Sequence, residues 1–134
     1  MNISEAAQRS GLTVKTVRYY ANIGMIKPAR HPRTGYREYD DTDIAKLQLV
    51  GTARKFDFSV EECRELLALY EDKNRPSREV KQMTIKKIDE IDKKLAELVS
   101  LKSQLSHLAS SCDGDNRPHC PILNALSSGG PKIR

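Results

Sequence analysis

The chain has 134 residues, 23 Lys+Arg against 18 Asp+Glu and 38% hydrophobic residues, enough for one domain or one small domain with an accessory element. No apolar run approaches the ~20 residues of a membrane span, and the first residues lack the basic-then-apolar order of a secretory signal, so a cytoplasmic chain with no membrane partner is expected. With no Trp, two Phe and five Tyr the core must rest on Leu, Ile, Val and Ala, which argues for helices over a large β-sandwich, and three cysteines cannot pair evenly into a disulfide framework.

Charge is uneven along the chain. Residues 1–40 carry seven basic and three acidic side chains, a net +4, with four of the five tyrosines; the remainder carries 16 basic and 15 acidic, a net +1. A basic, tyrosine-rich segment suits phosphate contact, although a merely solvated basic face has the same composition.

Ser4 reads as the cap of a short helix that Gly11 ends, and Thr13 as the cap of a second running to about Asn22. Two short helices joined by Gly-Leu-Thr form a helix-turn-helix. Val14, Val17 and Ala21 fall on one inward face of the second, while Lys15, Thr16, Tyr19 and Asn22 lie elsewhere and Arg18 sits at the margin. Met25 to Asp40, with Pro28, Pro32 and Gly35, reads as a two-stranded hairpin turning around Pro32 to Gly35, a wing. Alternation puts Tyr36 and Glu38 on one of its faces and Arg37 and Tyr39 on the other.

A third helix is expected to start between Asp40 and Asp43 and carry Ile44, Leu47, Leu49 and Val50 on to Arg54 and Lys55. Ser59 to Glu62 forms a capping box for a fourth helix ending near Tyr70, with Cys63 on its buried face. From Ser77 to about Ser110 there is neither Pro nor Gly, and Ile88, Ile91, Leu95, Leu98, Lys102, Leu105 and Ala109 recur at heptad spacing. Such a seam needs burial against a second copy in a homodimer, or against its own domain if the helix folds back. After it come Cys112, a turn-rich loop, Cys120, a short helix starting at Pro121 and a Ser/Gly/Pro tail.

The order ISEAAQRSGLTVKTVRYYANIGMI, then GYREY, then a long heptad helix and a C-x7-C pair followed by Pro-Ile, resembles the MerR family of transcription activators. Within it the chain looks like the copper-efflux regulator (CueR-type) branch, over nearly its whole length. The resemblance implies a mainly α fold with a winged helix-turn-helix domain at 1–72, a linker and dimerisation helix at 73–111, a metal-binding loop and short helix at 112–126 and a disordered tail at 127–134. It further implies a homodimer, joined through Ile88, Ile91, Leu95, Leu98 and Leu105, that binds double-stranded promoter DNA with an overlong spacer. Metal then changes the DNA distortion so that RNA polymerase can open it. By position, Arg18, Tyr19, Arg37 and Tyr39 match the family's DNA contacts, with Lys15 and Arg54 as weaker carry-overs.

Cys112 and Cys120 are the expected metal ligands. Two soft thiolates favour Cu(I), with Ag(I) or Au(I) as congeners, and two-coordination disfavours Zn(II), which usually takes four ligands. In relatives that sense divalent metals the residue at the start of the dimer helix is a third cysteine; here it is Ser77, which also reads as a helix cap, and Lys81 lies one turn in. These two positions are expected to support an anionic dithiolate unit brought close by dimerisation. His119 beside Cys120 leaves a Zn(II) or other divalent site open, His107 reads as a polar helix residue, and accessible thiols leave a redox sensor open. An architectural DNA-binding dimer that senses nothing is a further alternative. A drug-binding regulator would need a domain that the residues after the dimer helix are too few to form, and no spacing offers catalytic machinery, so no enzyme is expected.

Overall fold

A computed structural model describes residues 1–116 and 118–129 as two units, Met1–Met83 and Thr84–Arg134. The first opens with α1 (Ile3–Ser10). Its cap is Asn2, whose side chain accepts the Glu5 N–H at 2.8 Å, so Ser4 lies inside the helix and the cap sits two residues earlier than the sequence suggests. Asn and Ser cap equally well, and the choice falls to the residue with extended backbone, here Asn2 at ψ 174°. Gly11 ends α1 at φ 75°, its N–H reaching back to the carbonyls of Ala7 and Gln8. A Cβ there would meet nothing within 4 Å, so Gly11→Ala isolates the backbone penalty of a left-handed L-residue, and a loss of about 1–2 kcal/mol in denaturant melts is expected.

Thr13 caps α2 (Val14–Asn22), its hydroxyl accepting the Thr16 N–H at 3.1 Å, as the sequence suggests. Val17 is buried and Val14 and Ala21 pack partly against the core, joined by Tyr20, which periodicity did not single out. Lys15, Arg18, Tyr19 and Asn22 remain exposed. The hairpin is present but short: β1 (Ala29–Arg30) pairs antiparallel with β2 (Arg37–Glu38), Ala29 opposite Glu38 and Arg30 opposite Arg37.

Tyr39 lies one residue past β2, and its backbone exchanges two bonds with Met1, donating to the Met1 carbonyl at 2.8 Å and accepting from the Met1 amino group at 2.7 Å. Its ring is in the core, 1% exposed, and borders the same cleft as Arg37. Burial pushes the Tyr39 hydroxyl pKa up.

Asp40 and Asp43 form a reciprocal capping box at the start of α3 (Asp41–Lys55), within the expected range. Burial raises the Asp43 carboxyl, an effect opposed by the Asp40 N–H it accepts. Ile44, Leu47, Val50 and Ala53 are buried, with Leu49 at the margin. The box predicted at Ser59 and Glu62 starts α4 (Val60–Glu71), whose Cys63 is fully buried, and Lys46 ties α3 to α4 through Glu71 at 2.8 Å. The core is therefore largely aliphatic, as the composition requires.

Helix α5 (Ser77–Ser111) runs from the first unit into the second, 35 residues or about 50 Å at the usual rise. In the second unit Ile88, Leu95, Leu98 and Leu105 are each more than half exposed, and Ile91 is half-buried. Pro121 opens α6 (Pro121–Ser127) at its first turn. Of the expected disordered tail, Ser127 belongs to α6, Ser128 and Gly129 form a turn, and residues 130–134 lie outside the described residues. Among the described residues no helix is long and apolar enough to cross a membrane.

Candidate nucleic-acid interface and metal centre

Helix α2 and the wing enclose a cleft of about 540 Å³ lined by Arg18, Arg30, Tyr36 and Arg37, with Asn2 and Ile3 contributed from the start of the chain. Three guanidinium groups around one cleft are suited to an oxyanion, since Arg presents a fork of donors and keeps its charge. Arg18 and Arg37 were expected here. Arg30 and Tyr36 were not: Arg30 enters because the register sets it directly opposite Arg37, and Tyr36 because it is 77% exposed at the wing turn. Two like charges facing across a ladder cost stability on their own, a cost that an anion between them would relieve.

The remaining expected DNA contacts divide. Lys15 is exposed, and Tyr19 is half exposed on α2 with its ring tilted 53° against Tyr20 at 5.6 Å. The Tyr39 ring borders the cleft from within the core, and its hydroxyl has no hydrogen-bond partner among the described residues, so it is a wall of the cleft instead of an exposed contact. Arg54 is exposed at the end of α3, with its guanidinium tied back to its own unit. It donates to the Phe58 carbonyl at 2.9 Å and hydrogen-bonds Tyr20, whose hydroxyl is pushed up by burial and partly pulled back by this cation.

At the other end of the chain, the loop between α5 and α6 returns Cys120 to Cys112. The Cys112 thiol stands near enough to the Cys120 sulfur to help lower it, and both side chains are half-buried. Cys120 is also the cap of α6, its Sγ accepting the Leu123 N–H at 3.5 Å. The Leu123 amide, followed by that of Ile122 and by the Cys112 thiol, draws the Cys120 thiol below its ordinary value against the opposing desolvation. Alkylation of Cys120 by iodoacetamide, read by mass spectrometry against pH, is therefore expected to show a midpoint below the usual thiol range of about 8.5. A midpoint at or above that range would remove the amide effect.

His119 is exposed and lines a separate small cavity of about 100 Å³ with Ser111, Asp113, Asp115 and Pro121. Among the described residues no group of three or more His, Cys, Asp or Glu side chains is assembled to hold a metal. His107 is exposed, and its carbonyl accepts the hydroxyls of Ser110 and Ser111 at 2.8 and 2.9 Å. Ser77 is corrected from a cap to the first helical residue of α5, because the Pro76 carbonyl already accepts the Glu79 N–H at 3.2 Å; Lys81 is exposed one turn on.

Comparison with known proteins agrees with this layout. Residues 1–69 match the family described as "MerR HTH family regulatory protein" and residues 44–108 the one described as "MerR, DNA binding". The chain is 53% identical to the HTH-type transcriptional regulator HmrR of Rhizobium leguminosarum bv. viciae, covering 96% of this chain and 99% of that one. It is 42% identical to the HTH-type transcriptional regulator CueR of Salmonella typhimurium, covering 95% of this chain and 92% of the relative. Among solved structures, the transcription regulator PbrR691 from Ralstonia metallidurans CH34 in complex with lead(II) superposes with a TM-score of 0.80 at 29% identity, covering 94% of this chain and 98% of that one.

Proposed function

The chain belongs to the MerR family of helix-turn-helix transcription regulators, and from that premise we propose that it is a homodimeric promoter activator switched by a monovalent metal ion held between Cys112 and Cys120. It is a DNA-binding regulator and not an enzyme. The observation that carries the metal reading is the approach of two thiols, Cys112 and Cys120. Two sulfurs satisfy a d10 monovalent ion and leave a tetrahedral divalent one short of ligands, so Cu(I) is the proposed effector, with Ag(I) and Au(I) recognised by the same chemistry. Ser77 at the third-ligand position of divalent sensors fits this choice, and Lys81 adds a cation on the same helix.

Cys112 and Cys120 would hold the ion, which would supply soft-acid coordination to their thiolates. The chain supplies the rest: α6 amides stabilise the Cys120 thiolate, and α5 carries the seam that a second copy would cover. On this reading the arginine cleft of each protomer engages phosphates of one half-site of double-stranded promoter DNA, and RNA polymerase is the partner that responds to the distorted DNA. The test is transcription from a cognate promoter during a Cu(I) titration with thiols kept reduced. Activation that saturates with Cu(I) supports the reading, and no response to any monovalent ion would sink it.

The DNA half of the proposal has its own test. Arg18→Ala and Arg37→Ala should each weaken promoter binding and flatten the dependence of log affinity on log salt by about one unit per lost phosphate contact, with the oligomeric state unchanged. Wild-type affinity across the salt range in either variant would remove that residue from the interface.

A further inference from the structure

The wing turn is built around a histidine that neither core packing nor phosphate contact accounts for. His31 Nδ1 accepts the backbone N–H groups of Arg33 at 3.1 Å and Thr34 at 3.3 Å. The His31 backbone closes the hairpin as well, donating to the Tyr36 carbonyl at 2.7 Å and accepting the Gly35 N–H at 2.9 Å. Around it, Thr34 Oγ1 accepts the Tyr36 N–H at 3.3 Å and Arg30 Nη1 donates to the Gly35 carbonyl at 2.9 Å. A side-chain acceptor that reaches the N–H groups two and three residues ahead is ordinarily Asn, Asp, Ser or Thr. Here an imidazole does it, and only with Nδ1 unprotonated.

The hairpin depends on this turn more than most. Each strand has two residues, too few for the ladder to set the geometry, and the register places Arg30 against Arg37, a repulsive pair. Of the side-chain bonds in the Pro32 to Gly35 turn, the two to His31 hold its first half, beside those of Thr34 and Arg30, and that turn bears on where both arginines stand in the cleft.

We propose that His31 is a positioning residue for DNA binding, its neutral ring holding the wing turn so that Arg30 and Arg37 present a common phosphate site. This rests on reading the wing as a DNA-contact surface. In the hairpin the charged and titratable residues are Arg30 and Arg33 on the segment of His31 and Tyr36, Arg37 and Glu38 on the opposite side of the turn. Protonating the ring has two opposed effects. The added positive charge favours DNA through counter-ion release, while a proton on Nδ1 removes the acceptor and faces two N–H groups. A proton on Nδ1 therefore weakens binding despite the gained charge, because the turn loses both bonds.

The test uses the full chain and a duplex selected by the wild-type protein from a random-sequence pool, titrated at fixed salt at about pH 7.5 and about pH 5.5. At the higher pH His31→Ala should lose about five- to tenfold in affinity. His31→Asn, whose Oδ1 accepts the same two bonds at any pH, should recover to within about twofold of wild type. The ratio of wild-type to His31→Asn affinity should fall at the lower pH; groups common to both proteins cancel in it. Wild-type affinity in His31→Ala, no recovery in His31→Asn, or a ratio that rises on acidification would each overturn the inference. Arg37→Ala, measured alongside, separates the two readings. If it binds like wild type, the wing itself is no contact surface and this inference falls with it; if it loses affinity while His31→Ala does not, the positioning role alone fails.

Discussion

Replacing either Cys112 or Cys120 by serine should reduce the metal-triggered rise in transcription to none, while promoter affinity stays within about twofold of wild type. A serine hydroxyl remains protonated at neutral pH and is a hard donor, so each variant keeps one soft ligand and loses the other. The cysteines stand after α5, whereas the arginine cleft is built by α2 and the wing, so the substitution leaves the DNA-contacting side chains in place. Switching demands a large differential. Moving a two-state equilibrium from about 1:99 to 99:1 takes about 10⁴-fold tighter metal binding to one state, which a single thiolate and water cannot supply. Each serine variant should then behave as a promoter-bound protein that cannot be switched. In the wild type Cu(I) and Ag(I) should both activate, Zn(II) should not, and His119→Ala should leave the Cu(I) response intact. Full Cu(I) activation in either serine variant would end the two-thiolate reading. So would a strong Zn(II) response that disappears with His119→Ala.

What the sequence made legible is local or periodic. The Thr13 cap and the Ser59 box depend on a side-chain oxygen and an N–H three residues on, and both appear as expected. The long helix follows from a run without Pro or Gly. The cysteine pair was visible by spacing and softness, but the contact between the thiols, and the amide that holds the Cys120 sulfur, exist only once the loop closes. The burial of Tyr39 was not legible because its backbone partner is Met1, 38 residues away. The bond from Arg54 to the Phe58 carbonyl forms only where α3 ends and the chain turns toward α4, so spacing alone does not show it. Tyr19 and Tyr20 are adjacent and chemically alike, and only the packing of α2 decides that one is exposed and the other buried. Arg30 entered the cleft through hairpin register, which a two-residue ladder sets from its turn. His31 escaped notice for a related reason: histidine is not among the residues normally counted as turn acceptors.

Charged substitutions in the α5 seam should have the other large effect. Leu95 and Leu98 are 55% and 60% exposed in one chain, alongside Ile88 and Leu105, a stripe of large apolar side chains that water would cover unless a second α5 did. Burying one such leucine contributes about 1.5–3 kcal/mol, and in a two-fold dimer each substitution acts at two places. Leu98→Glu, or Ile91→Glu, therefore removes two apolar contacts and in exchange would bury two like charges near the symmetry axis, which together should weaken association by at least about 10²-fold. Sedimentation at micromolar concentration should show the wild type as a dimer and the variants as monomers. Promoter binding should fall in parallel, because two half-sites engaged at once depend on the seam-held pairing of two wings. Lys102 supplies the converse: it interrupts the seam with a charge, so Lys102→Leu should tighten the dimer. A wild-type chain that sediments as a folded monomer, or a Leu98→Glu chain that stays dimeric and binds its promoter normally, would show that α5 is not the surface through which two copies meet.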